Sequence, residues 1–164
     1  MPRTNTGLYD CEHKKMTELT IATPEQEDKA EWRRLYDAYA DFYRVPMSDE
    51  TAETVWGWLQ DPNHSVSGLI ARSRHSDAVG LAHFRDMPSP LRGTTIGFLD
   101  DLFVDPAVRG SGAAQALVLE VARIGKARGW SLFRWITRED NYRARALYDR
   151  VANQTNWVTY QYDL

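Results

Sequence analysis

Apolar positions recur along the chain with two different periods, and the switches between them outline an alternating set of strands and helices. Glu18 to Ala22 reads as a short first strand. Thr23 followed by Pro24 marks a helix start, with Glu25 and Glu27 in the first turn where acids suit the helix dipole. Trp32, Leu35, Tyr36, Tyr39, Phe42 and Tyr43 then recur three and four apart, so the first helix presents one apolar and aromatic face. A second helix over Asp49 to Leu59 carries Val55, Trp56 and Leu59 and stops before Asp61 and Pro62. Strands at Ser65 to Arg74 and Ala78 to Asp86 flank the polar turn Ser73 to Asp77. Met87 to Gly93 is a Pro-containing loop, and Thr94 to Val104 the next strand. Ala113 to Arg128 is a strongly apolar helix that buries Ala113, Leu117, Val121 and Ile124, with Gly129 as its cap. Ser131 to Thr137 reads as a strand, Asn141 to Val151 as a helix, and Trp157 to Asp163 as a final alternating strand. This order predicts one mixed α/β domain over residues 17–164. Residues 1–16 are polar and aperiodic and read as a mobile tail.

At 164 residues the chain is long enough for a proper core. Its net charge of −3 weighs against a nucleic-acid binder and favours cationic substrates. No apolar run is long enough to span a bilayer, so no membrane association is expected. The first residues lack the apolar core of a secretory signal, and the single cysteine, Cys11, has no partner for an internal disulfide; a cytoplasmic setting follows. His13, His64, His75 and His83 show no ligand spacing, so no metal site is expected. His83 reads as a structural residue within reach of a cleft.

Residues 99–114 narrow the function. A hydrophobic strand ends at Val104, a turn follows at Pro106, and a Gly-rich loop leads straight into the helix at Ala113. That order sets free backbone N–H groups at a helix N-terminus, the arrangement that holds phosphate, and Arg109 adds a planar cationic fork. A P-loop is excluded because Ala113 and Ala114 follow Gly112, and the dinucleotide fingerprint fails at Gln115. What remains is Arg109-x-x-Gly112-x-Ala114. It resembles the pyrophosphate loop of the GNAT family, the GCN5-related N-acetyltransferases. Downstream, Asn141-x-x-Ala144-x-x-Leu147-Tyr148 resembles the second signature of that family, with Asn141 suited to cap its helix.

The resemblance implies a GNAT α/β fold: a mixed central sheet with a splayed acetyl-CoA cleft and helices on both faces. It implies acetyl-CoA as cosubstrate, held by Leu102, Phe103, Val104, Arg109, Gly110, Ser111, Gly112, Ala113, Ala114, Asn141, Ala144 and Tyr148. The backbone of Leu102, Phe103 and Val104 would pair with the pantetheine arm, beside a bulge that opens the slot. Tyr148 would protonate the leaving thiolate. Asp100 and Asp101 are candidates for the base and for contact with a cationic acceptor, and strand alternation puts them on opposite faces. Tyr39 and Tyr43 read mainly as core residues that could also border the acceptor pocket.

The C-terminal third resembles the histone and polyamine acetyltransferase branch, whose members acetylate polyamines or basic proteins and often form dimers. The implied activity is acetyl transfer to a primary amine, by direct attack in a ternary complex, with a polyamine or basic peptide as acceptor and a homodimer as the working form. Amino acids and aminoglycoside-type amines are alternative acceptors. A non-catalytic acyl-CoA-binding module is the alternative outside enzymology, and Tyr148 with the two acids argues against it.

Overall fold

The structure, a computed structural model, describes residues 19–164. The tail over residues 1–16, with Cys11 and His13, lies outside the described residues, as does Glu18. Nine principal elements follow: β1 (Thr20–Ala22), α1 (Lys29–Tyr43), α2 (Asp49–Gln60), β2 (Val66–Arg72), β3 (Ala78–Ser89), β4 (Thr94–Val104), α3 (Ala113–Ala127), β5 (Phe133–Arg134) and α4 (Tyr142–Val151).

The long antiparallel pair β3–β4 is the spine of the sheet, in the order β1-β2-β3-β4-β5. β1 to β4 are antiparallel to one another, and β5 runs parallel to β4 through Gly97↔Phe133 and Phe98↔Arg134. Strand alternation divides the core between the two faces of this sheet. Ile70, Leu81 and Phe103 pack under Trp32, Leu35, Tyr36, Val55 and Trp56 of α1 and α2. Leu69, Ala71, Phe84 and Leu99 pack on the other face against Leu117, Val118 and Val121 of α3. The expected mixed sheet with helices on both faces is therefore present.

Trp130, just beyond α3, locks the helix to the sheet. Its ring fills the space over Gly97 of β4 and Gly125 of α3, where any Cβ would overlap it. Its indole N–H donates to Asp86 Oδ1 at 2.9 Å. The left-handed Gly129 (φ 79°) provides the turn that swings the ring back.

Several boundaries differ from the sequence expectation. Glu25 caps a single 3-10 turn, exchanging hydrogen bonds with Asp28, and the α-helix starts only at Lys29. β3 continues through Pro88 to Ser89, because its pairing with β2 has ended at Arg85↔Val66 and that edge needs no donor. The strand expected at 131–137 contracts to Phe133–Arg134. The final strand expected at 157–163 does not form: residues 153–164 carry no regular structure. No helix among the described residues is long and apolar enough to cross a membrane.

Candidate active site

β4, α3 and α4 converge on a cleft of roughly 540 Å3. One wall is the loop between β4 and α3. Asp105 anchors its start, accepting from the Ala107 N–H at 3.0 Å and from Arg34 Nη1 at 2.9 Å. The Ala107 hydrogen bond, then Arg34, holds the Asp105 carboxyl below its ordinary range. Gly110 (φ 92°) and Gly112 (φ 90°) turn in the left-handed region, and a Cβ at either position would meet open space. Gly112 is the N-cap of α3 and offers no side chain to the first turn. Ser111 Oγ accepts only a long 3.4 Å bond from Ala113 N. The N–H groups of Gly110, Gly112, Ala114 and Gln115 donate to nothing among the described residues, so they remain available to an anion in the cleft.

The facing wall is α4. Asn141 caps it, accepting from Ala144 N at 3.4 Å and donating Nδ2 to Thr137 Oγ1 at 3.3 Å. Leu102, Phe103, Val104, Arg109, Gly110, Ser111, Gly112, Ala113, Ala114, Asn141 and Ala144 all line the cleft. Those are the residues expected there from sequence, Tyr148 excepted. Sequence reasoning missed Phe42, Gln115, Arg143, Leu147 and Arg150. The signal for three of them was present, because Arg143, Leu147 and Arg150 share the face of α4 that carries Ala144. Together with Arg109 they make a cleft lined by three guanidinium groups. Their chemistry fits a ligand with several phosphate charges.

Tyr148 lies behind this wall rather than on it. Its ring packs edge-on against Trp135 at 5.2 Å, and burial, helped by nearby Tyr43, pushes its phenol up to about 12. Tyr43 itself lines the cleft, so Tyr148 sits one side chain away from it.

The two acids require a correction. Simple alternation would put Asp100 and Asp101 on opposite faces, but β4 carries a bulge here: His83 pairs with Asp101 and Phe84 with Leu99, leaving Asp100 as the extra residue. His83 and Arg85 lie two apart on β3 and share a face. Asp101 Oδ2 is 2.8 Å from His83 Nδ1, and Asp100 bonds Arg85 Nε at 3.1 Å. Both carboxylates therefore point to the α1 side. Burial raises the Asp100 pKa, Arg85 opposing it.

His83 is 2% exposed and fixes the orientation of the Asp101 carboxylate. The Trp32 indole N–H, which can only donate, donates to His83 Nε2 at 2.9 Å. The proton of the neutral ring therefore sits on Nδ1 and is donated to Asp101. Tyr39 lies against the same carboxylate and lines the cleft; burial and the Asp101 charge both push its phenol well above its ordinary value. The aromatic stripe of α1 thus serves as core at Trp32 and Tyr36 and as cleft wall at Tyr39, Phe42 and Tyr43. No cluster of potential metal ligands occurs among the described residues.

Comparison with known proteins places this geometry. The model of the acetyltransferase (GNAT) family matches residues 32–152. The chain is 28% identical over 144 residues to the D-amino-acid N-acetyltransferase HPA3 of Saccharomyces cerevisiae, covering 87% of this chain and 89% of that protein. It superposes on the ribosomal-protein-alanine N-acetyltransferase of Brucella melitensis biovar Abortus 2308 with a TM-score of 0.74 and 26% identity, covering 90% and 99% of the two chains. The aminoglycoside N-acetyltransferase AAC(6')-Iy in complex with CoA shares the fold, with a TM-score of 0.76, 20% identity and coverage of 90% and 95%. None of these relatives singles out the histone and polyamine branch. The chain belongs to the GNAT family of acetyltransferases and is an N-acetyltransferase that uses acetyl-CoA.

Proposed function

We propose that this enzyme acetylates a cationic primary amine, a polyamine, a basic peptide or another small amine, by direct attack in a ternary complex, and that it works as a homodimer. The observation that carries the acceptor class is the carboxylate pair on the α1 side of β4, behind the cleft lining, where Asp101 lies against Tyr39 of the cleft wall. Asp101 is held in place by His83, and Asp100 projects to the same side of the sheet.

Acetyl-CoA supplies the acetyl group as an activated thioester. The amides of Gly110, Gly112, Ala114 and Gln115, with Arg109, Arg143 and Arg150, bind its phosphates. The backbone of Leu102 to Val104, which lines the cleft, orients the pantetheine arm in the manner of an added strand. A primary ammonium of pKa ~10.4 must lose a proton before it attacks. Asp101 binds the cation, and Asp100, whose basicity is raised by burial, takes the proton directly or through water. Tyr148 stays protonated across neutral pH, because its phenol titrates at about 12, and serves as proton donor to the departing thiolate.

A second reading is an amino acid acceptor, favoured by the likeness to HPA3 and by Arg85 beside Asp100, a cation able to meet an acceptor carboxylate. Steady-state kinetics of Asp101→Asn separate the two. For a polyamine acceptor, KM rises and kcat/KM falls by ~10²–10⁴-fold, the range for a lost acid–base or charge contact. A loss confined to amino acid acceptors, with polyamines inert in the wild type, establishes the second reading.

A further inference from the structure

His83 lies in a buried core that is otherwise apolar or aromatic, and both of its ring nitrogens are occupied. Trp32 directs its indole N–H at Nε2, and Asp101 Oδ2 faces Nδ1. An indole nitrogen cannot accept a hydrogen bond. A second proton on the imidazole would have to enter at Nε2 and point at another N–H. Trp32 is as buried as His83, so the clash would leave two donors unpaired away from solvent.

That restriction decides the charge on the α1 side of β4. Arg85 and Asp100 form an ion pair and cancel. Burial, then the Asp101 charge, pushes the Tyr36 phenol up to about 12 and holds that of Tyr39 well above its ordinary value, so both are neutral near pH 7. α2 contributes the uncharged Trp56, its ring 5.0 Å from that of Trp32, and β2 sets Gly68 opposite His83. The balance is left to His83 and Asp101. A histidine beside a carboxylate ordinarily gains a proton and forms an ion pair of zero net charge. With Nε2 engaged by Trp32, this pair holds one proton and a net charge of −1.

We propose that Trp32 is a positioning residue for the acceptor: by holding the Nδ1–H tautomer of His83 it leaves the Asp101 charge uncompensated, and so selects an amine that arrives as a cation. This rests on the cationic-acceptor reading above and names the residue that enforces it. Trp32 does not touch the acceptor, and its effect passes through two hydrogen bonds of 2.9 and 2.8 Å.

Trp32 also packs against Tyr36 and Trp56, so truncating it would mix two roles. β-(3-Benzothienyl)alanine separates them, because it has the shape of tryptophan with sulfur in place of the indole N–H. The full chain is made with this residue instead of Trp32. Thermal unfolding and CoA affinity are expected to stay near wild type. With the donor gone, Nε2 is free to take a proton and the imidazolium neutralises Asp101. KM for spermidine should then rise by ~10-fold or more at pH 6.5, the scale of a lost charge-assisted contact, with a smaller change in kcat. The ratio to wild type should fall back toward one by pH 8.5. Adding His83→Asn, which keeps an N–H donor and cannot be charged, should remove that pH dependence. An unchanged KM, or a rise of the same size at every pH, assigns Trp32 to packing alone and overturns the proposal.

Nitrogen-15 NMR of the histidine rings in the unaltered chain needs no acceptor. A bare Nε2 and a protonated Nδ1 on His83 at pH 7 are expected, and a proton on Nε2 overturns the proposal whatever the acceptor. The expected tautomer in a protein that turns over no cationic amine removes the acceptor reading, and the selection with it, while the Trp32–His83 geometry stands.

Discussion

Replacing Gly112 by Glu separates two costs that the loop geometry sets. Gly112 sits at φ 90°, and a Cβ there meets nothing within 4 Å, so no steric clash contributes. Any L-residue pays the left-handed backbone penalty of ~1–2 kcal/mol, and that cost falls on folding rather than on binding. For a chain of this size it lowers Tm by ~2–8 °C. The carboxylate adds a charge term that falls on binding. At about 5 Å from one phosphate charge and an effective dielectric of about 20, the repulsion is ~3 kcal/mol, or at least ~100-fold in Kd. Gly112→Ala carries the first cost alone. Calorimetric titration with CoA should therefore find Gly112→Ala within a few-fold of wild type and Gly112→Glu weaker by ~100-fold or more, with both variants similarly reduced in Tm. Wild-type CoA affinity in Gly112→Glu would refute the assignment of this loop to the phosphates.

Three further outcomes follow from the same geometry. Tyr148→Phe keeps the packing on Trp135, so CoA affinity should stay within about twofold while kcat drops by ~10²-fold or more; equal losses in both would assign Tyr148 a purely structural role. Burial raises the Asp100 pKa in the folded state above its unfolded value, so its stabilising contribution is present at low pH and is lost as pH rises through the folded value. The Tm of Asp100→Asn relative to wild type should accordingly improve between pH 4 and pH 7.5, and a gap that moves the other way contradicts the partial desolvation of this carboxyl. Gly125→Ala forces a methyl into the Trp130 ring and should destabilise by ~1–3 kcal/mol in urea, with loss of native tryptophan fluorescence at lower denaturant; an unchanged midpoint would mean that Trp130 does not wedge α3 against β4.

What could be read from the sequence was what depends on local chemistry. The loop from Arg109 to Ala114 declared itself because a left-handed turn, a helix N-terminus and a fixed cation leave few alternatives. Asn141 was legible as a cap, and the strand Thr94–Val104 has the bounds its pattern predicted. What depends on a partner strand was not legible. The bulge at Asp100 arises from pairing with β3, and local alternation cannot anticipate the extra residue that brings both acids to one face. His83 gave no spacing signal, because Trp32 and Asp101, which fix its orientation, are 51 and 18 residues away in sequence. Trp157 to Asp163 has the alternation of a strand, but strand propensity describes a surface that fits a sheet and does not supply the neighbour. Arg143 and Arg150 share the face of α4 with Ala144, expected at the cofactor, so their signal was present in the helical spacing and was overlooked.

Acetyl transfer from acetyl-CoA to a cationic amine at this cleft is the proposed reaction. The measurement that tests it most directly is release of CoA thiol from acetyl-CoA by the purified full chain, across spermidine, basic peptides, L- and D-amino acids and aminoglycosides. Turnover with the polycationic acceptors, reduced by ~100-fold or more in Gly112→Glu at sub-saturating acetyl-CoA, is the predicted result. Thiol release with none of these amines, from protein whose CoA binding is established by titration, would contradict it.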